Sequence, residues 1–362
     1  MSGGASTREQ RVLEIIGTAR AKRPRFADRQ ITMAHGAGGR ATRTLIEGLL
    51  VPTFGAPALE ALGDAAHLAV GDAALALTTD SFVVTPLQFP GGSIGELAVN
   101  GTVNDLAVAG ARPLALSLAL ILEEGLEADV LRAEVEAIAR AATAAGIEIV
   151  AGDTKVVQRG HADGMFICTT GIGARDPRAA LSPEALRPGD RVLLSGAVGE
   201  HGTAIMLARG ELGLEADVAS DTRPLWPAVD ALLSAAPGAL RCMRDATRGG
   251  VASVLNELAR AARVGIAVRE ADVVVRPDVA GAAELLGIDP LHVANEGCFV
   301  ACVAPEAADA ALAALRGAPG GEGAAEIGEV RAEPAATVVL ETAFGGRRVL
   351  DELVGDPLPR IC

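Results

Sequence analysis

Residues 147–155 read Ile147-Glu148-Ile149-Val150-Ala151-Gly152-Asp153-Thr154-Lys155. The apolar run from Ile147 to Ala151 predicts a short buried strand. It leads straight into an aspartate flanked by small residues. The pattern recurs at Gly71-Asp72-Ala73, Thr79-Asp80-Ser81, Asn104-Asp105-Leu106 and Arg244-Asp245-Ala246-Thr247. Carboxylates at the ends of apolar elements can converge on one cleft, where they repel unless cations sit among them. Hard oxygen ligands of this kind suit Mg2+ carrying a nucleotide's phosphates. Each aspartate taken singly reads as a cap or turn residue, Asp153 and Asp245 most of all. Five in one chain favour a shared site.

Strands and helices alternate around these aspartates. Ala74 to Val84 reads as a long strand. Ser93-Ile94-Gly95-Glu96 is a capping box opening a helix over 94–110. Leu114 to Leu122 is strand-like. Val130, Leu131, Val135, Ile138, Ala139 and Ala142 have helical spacing within 127–145. Leu181 to Asp190, rich in Pro, Arg and Gly, reads as a domain junction. A second unit starts at Arg191, with a helix from Gly250 to Arg263, strands near Ile266 and at Phe299 to Val303, and a helix from Ala307 to Leu315. Ala318 to Ala325 reads as a Gly-rich surface loop. The connections are not the uniform βαβ of a doubly wound sheet. The expected organisation is an extension over 1–28, with an amphipathic stretch at Val12 to Ala19, then domains over 29–180 and 181–344. A tail over 345–362 follows, with Gly345, Gly346 and Gly355 as pivots.

Half of the 362 residues are apolar, but only 2% are aromatic and tyrosine is absent, so the core must be aliphatic. The net charge of −14 and the lack of a basic run argue against nucleic acid. An acidic protein that binds an anion needs local help from a metal, helix N-termini or placed cations. The best apolar run, Leu114 to Leu122, is about half the ~20 residues that spanning a membrane requires. There is no apolar signal-peptide core, and five scattered cysteines do not read as a disulfide framework. The cytoplasm is the expected location.

Two segments suit phosphate. Thr247-Arg248-Gly249-Gly250 before a helix offers N–H groups and a guanidinium. His35-Gly36-Ala37-Gly38-Gly39-Arg40 lacks the Lys-Ser/Thr of a P-loop and reads as a lid over phosphates. Lys155 invites a phosphate or carbonyl oxygen, or is a surface lysine of an edge strand. Glu296, in Asn295-Glu296-Gly297, points into a cleft or sits in a turn. Cys168, Cys298 and Cys302 read as packed thiols. The chain ends Pro359-Arg360-Ile361-Cys362. Pro357 and Pro359 deny this end of the chain helix, and a terminal thiol has no packing to do.

Thr79-Asp80-Ser81-Phe82-Val83-Val84, Phe89-Pro90-Gly91-Gly92, Val103-Asn104-Asp105-Leu106-Ala107, Gly152-Asp153-Thr154-Lys155, Arg244-Asp245-Ala246-Thr247-Arg248-Gly249-Gly250 and Pro359-Arg360-Ile361-Cys362 together resemble the HypE hydrogenase maturation factors. That family lies in the AIR-synthase-like (PurM-like) ATP-using superfamily. The resemblance runs from about Ile31 to Cys362, and the terminal motif selects HypE within the superfamily. It implies an α/β (α+β) fold of two domains and a homodimer whose N-terminal domains build a β-barrel. It implies ATP with Mg2+ in a cleft. Asp72, Asp80, Asp105, Asp153 and Asp245 would handle Mg2+ and phosphates. Thr154, Asn104, Thr247, Arg248 and Gly249 would help hold the nucleotide beneath His35, Gly36, Gly38 and Gly39.

The implied chemistry is dehydration of a carbamoyl group carried on Cys362 to a thiocyanate. Glu296 would remove a proton and Lys155 would orient the amide or γ-phosphate. HypF would supply the carbamoyl group, and a HypC–HypD complex would take the cyanide for a nickel–iron centre. No membrane or nucleic-acid partner is implied. Gln88 and Ser93 depart from the family pattern, which touches the dimer or loop surface more than the aspartates. The rival readings are a small-molecule kinase or synthetase of the same superfamily and a non-catalytic nucleotide-binding scaffold.

Overall fold

The computed structural model describes residues 24–210 and 216–353. The first domain is built on a sheet of order β1-β2-β7-β5-β6. Its strands are β1 (Ala66–Val70), β2 (Ala73–Phe82), β5 (Ala111–Glu123), β6 (Glu148–Val157) and β7 (Met165–Arg175). A two-stranded ribbon, β3 (Gln88–Phe89) and β4 (Gly92–Ser93), leads into the helix Ile94–Val108. Only β5 and β6 run parallel, and the helix Ala128–Ala145 connects them. The two helices cover one face of the sheet and pack Leu97, Val103 and Ile138 against Leu116 and Ile167.

Among the described residues, nothing covers the other face. Along β2, Ala76, Thr78 and Phe82 are buried while Leu77, Thr79 and Ser81 are exposed, the two-residue period of a sheet covered on one side only. The sheet is open, so the barrel expected of the N-terminal domain is not closed by one chain. The predicted strand at Ile147–Ala151 is longer and less buried than its sequence suggests. It runs to Val157 as an edge strand paired only with β5, so Ala151, Gly152 and Asp153 are exposed. Asp153 is thus mid-strand rather than in a turn. The capping box is also replaced. Ser93 makes no side-chain cap bond, and buried Glu134 accepts from the Gly95 N–H at 3.0 Å instead.

The second domain has a sheet of order β14-β13-β10-β12-β8-β11-β9. Its strands are β8 (Arg191–Leu194), β9 (Leu240–Asp245), β10 (Gly265–Arg269), β11 (Phe299–Val303), β12 (Ala325–Arg331), β13 (Thr337–Glu341) and β14 (Arg347–Val349). β11, between β8 and the edge strand β9, is buried on both faces. Val300 and Cys302 pack with the helix Gly250–Ala262, while Phe299, Ala301 and Val303 pack with the helices Trp226–Ala235 and Ala308–Gly317. This second core also takes in Ala107, Val108 and Ala179 of the first domain. The C-terminal end of the Ile94–Val108 helix is therefore embedded between the domains, which fixes where Asp105 sits.

The tail does not begin at 345. Arg347–Val349 pairs with β13 and Leu350 is fully buried, so this segment belongs to the second sheet. Gly355, Cys362 and the Val12–Ala19 stretch lie outside the described residues.

Candidate functional site

Three of the five expected aspartates converge. Asp80 comes from β2, Asp105 from the Ile94–Val108 helix and Asp245 from the last position of β9. Asp64, just ahead of β1, completes the group. Carboxylate oxygens of Asp64, Asp105 and Asp245 all lie within 4.8 Å of one another. Thr78 Oγ1 donates to Asp105 at 2.7 Å. Arg244 pairs with Asp64 at 2.9 Å.

Burial drives the Asp105 carboxyl well above its ordinary range, and Asp80, Asp245 and Asp64 push it further. Asp245 is raised well above its usual value by burial and then by Asp64 and Asp80, against Arg244 and Arg248. Asp64 is raised by burial, and Arg244 counteracts this. Glu296 joins the same field, raised well above its usual value by burial and then by Asp245, Asp221 and Asp80. A converging set of carboxylates with too few cations among them is a ready site for a divalent metal.

Glu296 is placed by its backbone. Asp221 accepts from the N–H groups of Glu296 and Gly297, both at 2.9 Å. Gly297 must be glycine, since a Cβ would stand 1.9 Å from the Asp221 carbonyl oxygen. Asn104 Nδ2 donates to the Glu296 carbonyl at 3.1 Å and to that of Arg223 at 2.9 Å, while its Oδ1 accepts from Leu225 N–H at 2.8 Å. Both amide protons are committed to backbone. Asn104 is therefore a strut that seats Glu296 against the Ile94–Val108 helix.

Thr247, Arg248 and Gly249 form the turn entering the helix Gly250–Ala262, with Gly249 in the left-handed region at φ 76°. The Gly-rich segment lies on this turn. Gly38 has φ +77°, and a Cβ there would stand 2.5 Å from Arg248 Cβ. Gly38 thus brings the segment onto Arg248, while Gly39 sits against the Leu353 carbonyl. His35 serves inside that segment. Its ring meets Asp28 at 3.1 Å, accepts from Thr32 N–H at 3.0 Å and stands edge-on to Phe26. It shapes the loop with Gly36 rather than facing the carboxylates.

Asp72 and Asp153 are not brought in. Asp72 is exposed in the β1–β2 turn, eight residues from Asp80 along β2 and so about 25 Å away. Gly152 shares a cross-strand row with Leu118, Thr169 and Asp80, which puts Asp153 three strands or about 14 Å from Asp80 and on the bare face. There Lys155 pairs with Asp153 at 2.8 Å. The hydrogen bond from Lys155, then that from the Thr154 N–H, holds the Asp153 carboxyl below its ordinary value. Asp153, Thr154 and Lys155 thus form a separate exposed group. Cys298 and Cys302 are buried, and burial pushes the Cys298 thiol up to about 12. Cys168 is half-exposed, beside Ser81 on the bare face.

Sequence reasoning passed over Asp64, Asp221 and Arg244. Leu62-Gly63-Asp64-Ala65 has the same small-residue setting as the other aspartates and was findable on that ground. Asp221 and Arg244 act through loop and side-chain geometry that leaves no periodic trace.

The model of the AIR synthase related protein N-terminal domain matches residues 62–174, and that of the C-terminal domain matches residues 187–341. Carbamoyl dehydratase HypE of Rhodobacter capsulatus is 51% identical over 337 residues, 92% of this chain and 99% of that protein. A chain of the HypE–HypF complex superposes with a TM-score of 0.81 at 44% identity, covering 85% of this chain and 99% of that one. HypE in complex with ATP superposes with a TM-score of 0.77 at 46% identity, covering 92% and 100%. With both domain models matched and about half of the residues identical over 92% of the chain, the chain belongs to the HypE family of AIR-synthase-related proteins.

Proposed function

We propose that this protein is an ATP-dependent carbamoyl dehydratase that converts a carbamoyl group on its own Cys362 to a thiocyanate. The match to carbamoyl dehydratase HypE over nearly the whole of both chains carries this reading. No comparable observation favours a small-molecule kinase or a silent scaffold.

The amide oxygen of an S-carboxamide is a poor leaving group. Attack of that oxygen on the γ-phosphorus of ATP forms an O–P bond, expels ADP and releases one N–H proton to a base. Loss of the phosphorylated oxygen as hydrogen phosphate, with the second N–H proton, leaves the S–C≡N group. The oxygen departs as phosphate and the elements of water are removed. Asp64, Asp80, Asp105 and Asp245 would hold Mg2+, whose bound charge would offset that of the phosphates. The crowding of three carboxylates within 4.8 Å supports that assignment. Arg248 and the N–H groups opening the Gly250–Ala262 helix face phosphate oxygens. Gly38 and Gly39 close over them and exclude water. Glu296, buried between Gly101 and Asp221, takes the proton. Burial and the neighbouring carboxylates raise its affinity for a proton, as a base requires.

Asp153, Thr154 and Lys155 enter through a second copy of the chain. The bare sheet face with Leu68, Leu77, Thr79 and Ser81, and the free edge of β6, suit a homodimer that closes the barrel. In that assembly Lys155 would orient the amide or γ-phosphate. A HypF-like carbamoyltransferase would load Cys362, and a HypC–HypD complex would accept the cyanide for a nickel–iron hydrogenase. None of the described helices is long and apolar enough to cross a membrane, in keeping with work in the cytoplasm.

Intact-protein mass spectrometry tests the reading. The protein is incubated with HypF, carbamoyl phosphate, ATP and Mg2+ beside Cys362→Ala. Wild type is expected to gain a carbamoyl group and then lose one water, and the variant neither. ATP consumption with an unmodified C-terminus would overturn it.

A further inference from the structure

The ion pairs at the acidic cluster continue beyond it. Arg244 joins Asp64 at 2.9 Å to Glu257 at 3.4 Å. Glu257 lies one turn before Arg260 on the Gly250–Ala262 helix, and Arg260 pairs with Glu352. Arg43, on the helix Arg40–Leu45 that follows the Gly-rich segment, reaches Glu352 at 3.6 Å. The Glu352 side chain is only 5% exposed. Asn256, one turn before Arg260, donates to the Leu350 carbonyl at 2.9 Å, and His292 Nε2 meets the Asp351 carbonyl at 2.9 Å. The Leu353 carbonyl abuts Gly39, where a Cβ would stand 2.9 Å away. The four residues from Leu350 to Leu353 are thus gripped by the elements that carry the Gly-rich segment and the Thr247–Gly250 turn.

We propose that Glu352 is a positioning residue for the dehydration step. This rests on the function proposed above. Held between Arg43 and Arg260, Glu352 fixes residues 350–353, the root of the C-terminal arm, beside the Gly-rich segment. Nine residues follow Leu353, a reach of at most ~30 Å when extended. A short arm on a fixed root keeps a high effective concentration of Cys362 at the cleft. Freeing the root widens the volume that Cys362 samples. Loading by a carbamoyltransferase needs only an accessible thiol and does not depend on the root.

The test separates the two steps in the full-length protein. Wild type and Glu352→Gln are carbamoylated with HypF and carbamoyl phosphate, then given ATP and Mg2+, and loss of water is followed by intact mass. The expected result is dehydration at least tenfold slower, with carbamoylation within twofold of wild type and the KM for ATP unchanged. Equal dehydration rates would overturn the proposal. If Glu352→Gln loses both steps by misfolding, Arg43→Gln decides, since its side chain is 22% exposed and it removes one partner only. Selective slowing there supports the fixed root, and unchanged rates overturn it. A wild-type protein that is carbamoylated but never dehydrated would instead sink the proposed function.

Discussion

Replacing Asp105 with asparagine should stabilise the nucleotide-free protein while abolishing its dehydration activity. Asp105 is the informative member of the cluster, because the charges around it repel: Asp80, Asp245 and Asp64 all raise its carboxyl, and the Thr78 hydroxyl opposes them. Asparagine can still accept the Thr78 bond. Two like charges 4.8 Å apart, the outer limit of the Asp64–Asp105–Asp245 triangle, repel by about 3.5 kcal/mol at an effective dielectric of ~20. Partial protonation of the cluster relieves part of this, so a gain of ~1–3 kcal/mol is expected at pH 8. The gain must depend on pH in one direction. Asp105 holds its proton to higher pH in the folded chain than in the unfolded one. Wild-type stability therefore falls as pH rises from the ordinary carboxylate range through the folded value. The advantage of the variant should be largest at pH 8 and shrink as pH is lowered towards 4. Urea unfolding at several pH values without metal measures it, with single-turnover dehydration in parallel. A variant less stable than wild type at pH 8, or an advantage that does not change with pH, would refute the electrostatic account.

Two further outcomes follow from the geometry. Gly38→Ala places a methyl group 2.5 Å from Arg248 Cβ at a φ of +77°, so the lid must lift. ATP affinity by calorimetry should fall at least tenfold, with about 1–2 kcal/mol of stability lost to the backbone conformation. Leu77→Lys puts a charge on the bare sheet face, where Leu77 is 39% exposed. Light scattering should show a dimer converted to monomer while the secondary structure is kept, and an unchanged mass would remove the bare face as the contact surface.

Much of the fold was legible because its signals are local. The helices at 94–108 and 128–145, the strands β2, β5 and β11, and the helix at 250–262 follow apolar runs and spacings that act within a few residues. The strand β6 shows the limit. Its run of Ile147 to Ala151 reads as buried, yet burial depends on what covers the strand, and none of the described residues does. The tail was set too early for a related reason. Gly345 and Gly346 look like pivots in sequence but make the hairpin turn between β13 and β14, and Leu350 then enters the core.

The sequence by itself determined the class of chemistry: aspartates set among small residues, a glycine-rich lid, an arginine before a helix and a terminal thiol. These are choices of residue type, and residue type carries charge, hydrogen-bonding capacity and nucleophilicity without reference to the fold. Only the tertiary structure decided which aspartates share a site. Asp72 and Asp153 have the same local setting as Asp80, Asp105 and Asp245, but a strand separates successive residues by about 3.4 Å and neighbouring strands by about 4.8 Å. A turn eight residues away, or a strand three places along the sheet, therefore lies beyond the reach of a carboxylate. Asp105 joins Asp64 and Asp245 because the Ile94–Val108 helix packs into both domain cores, and no local pattern records that contact.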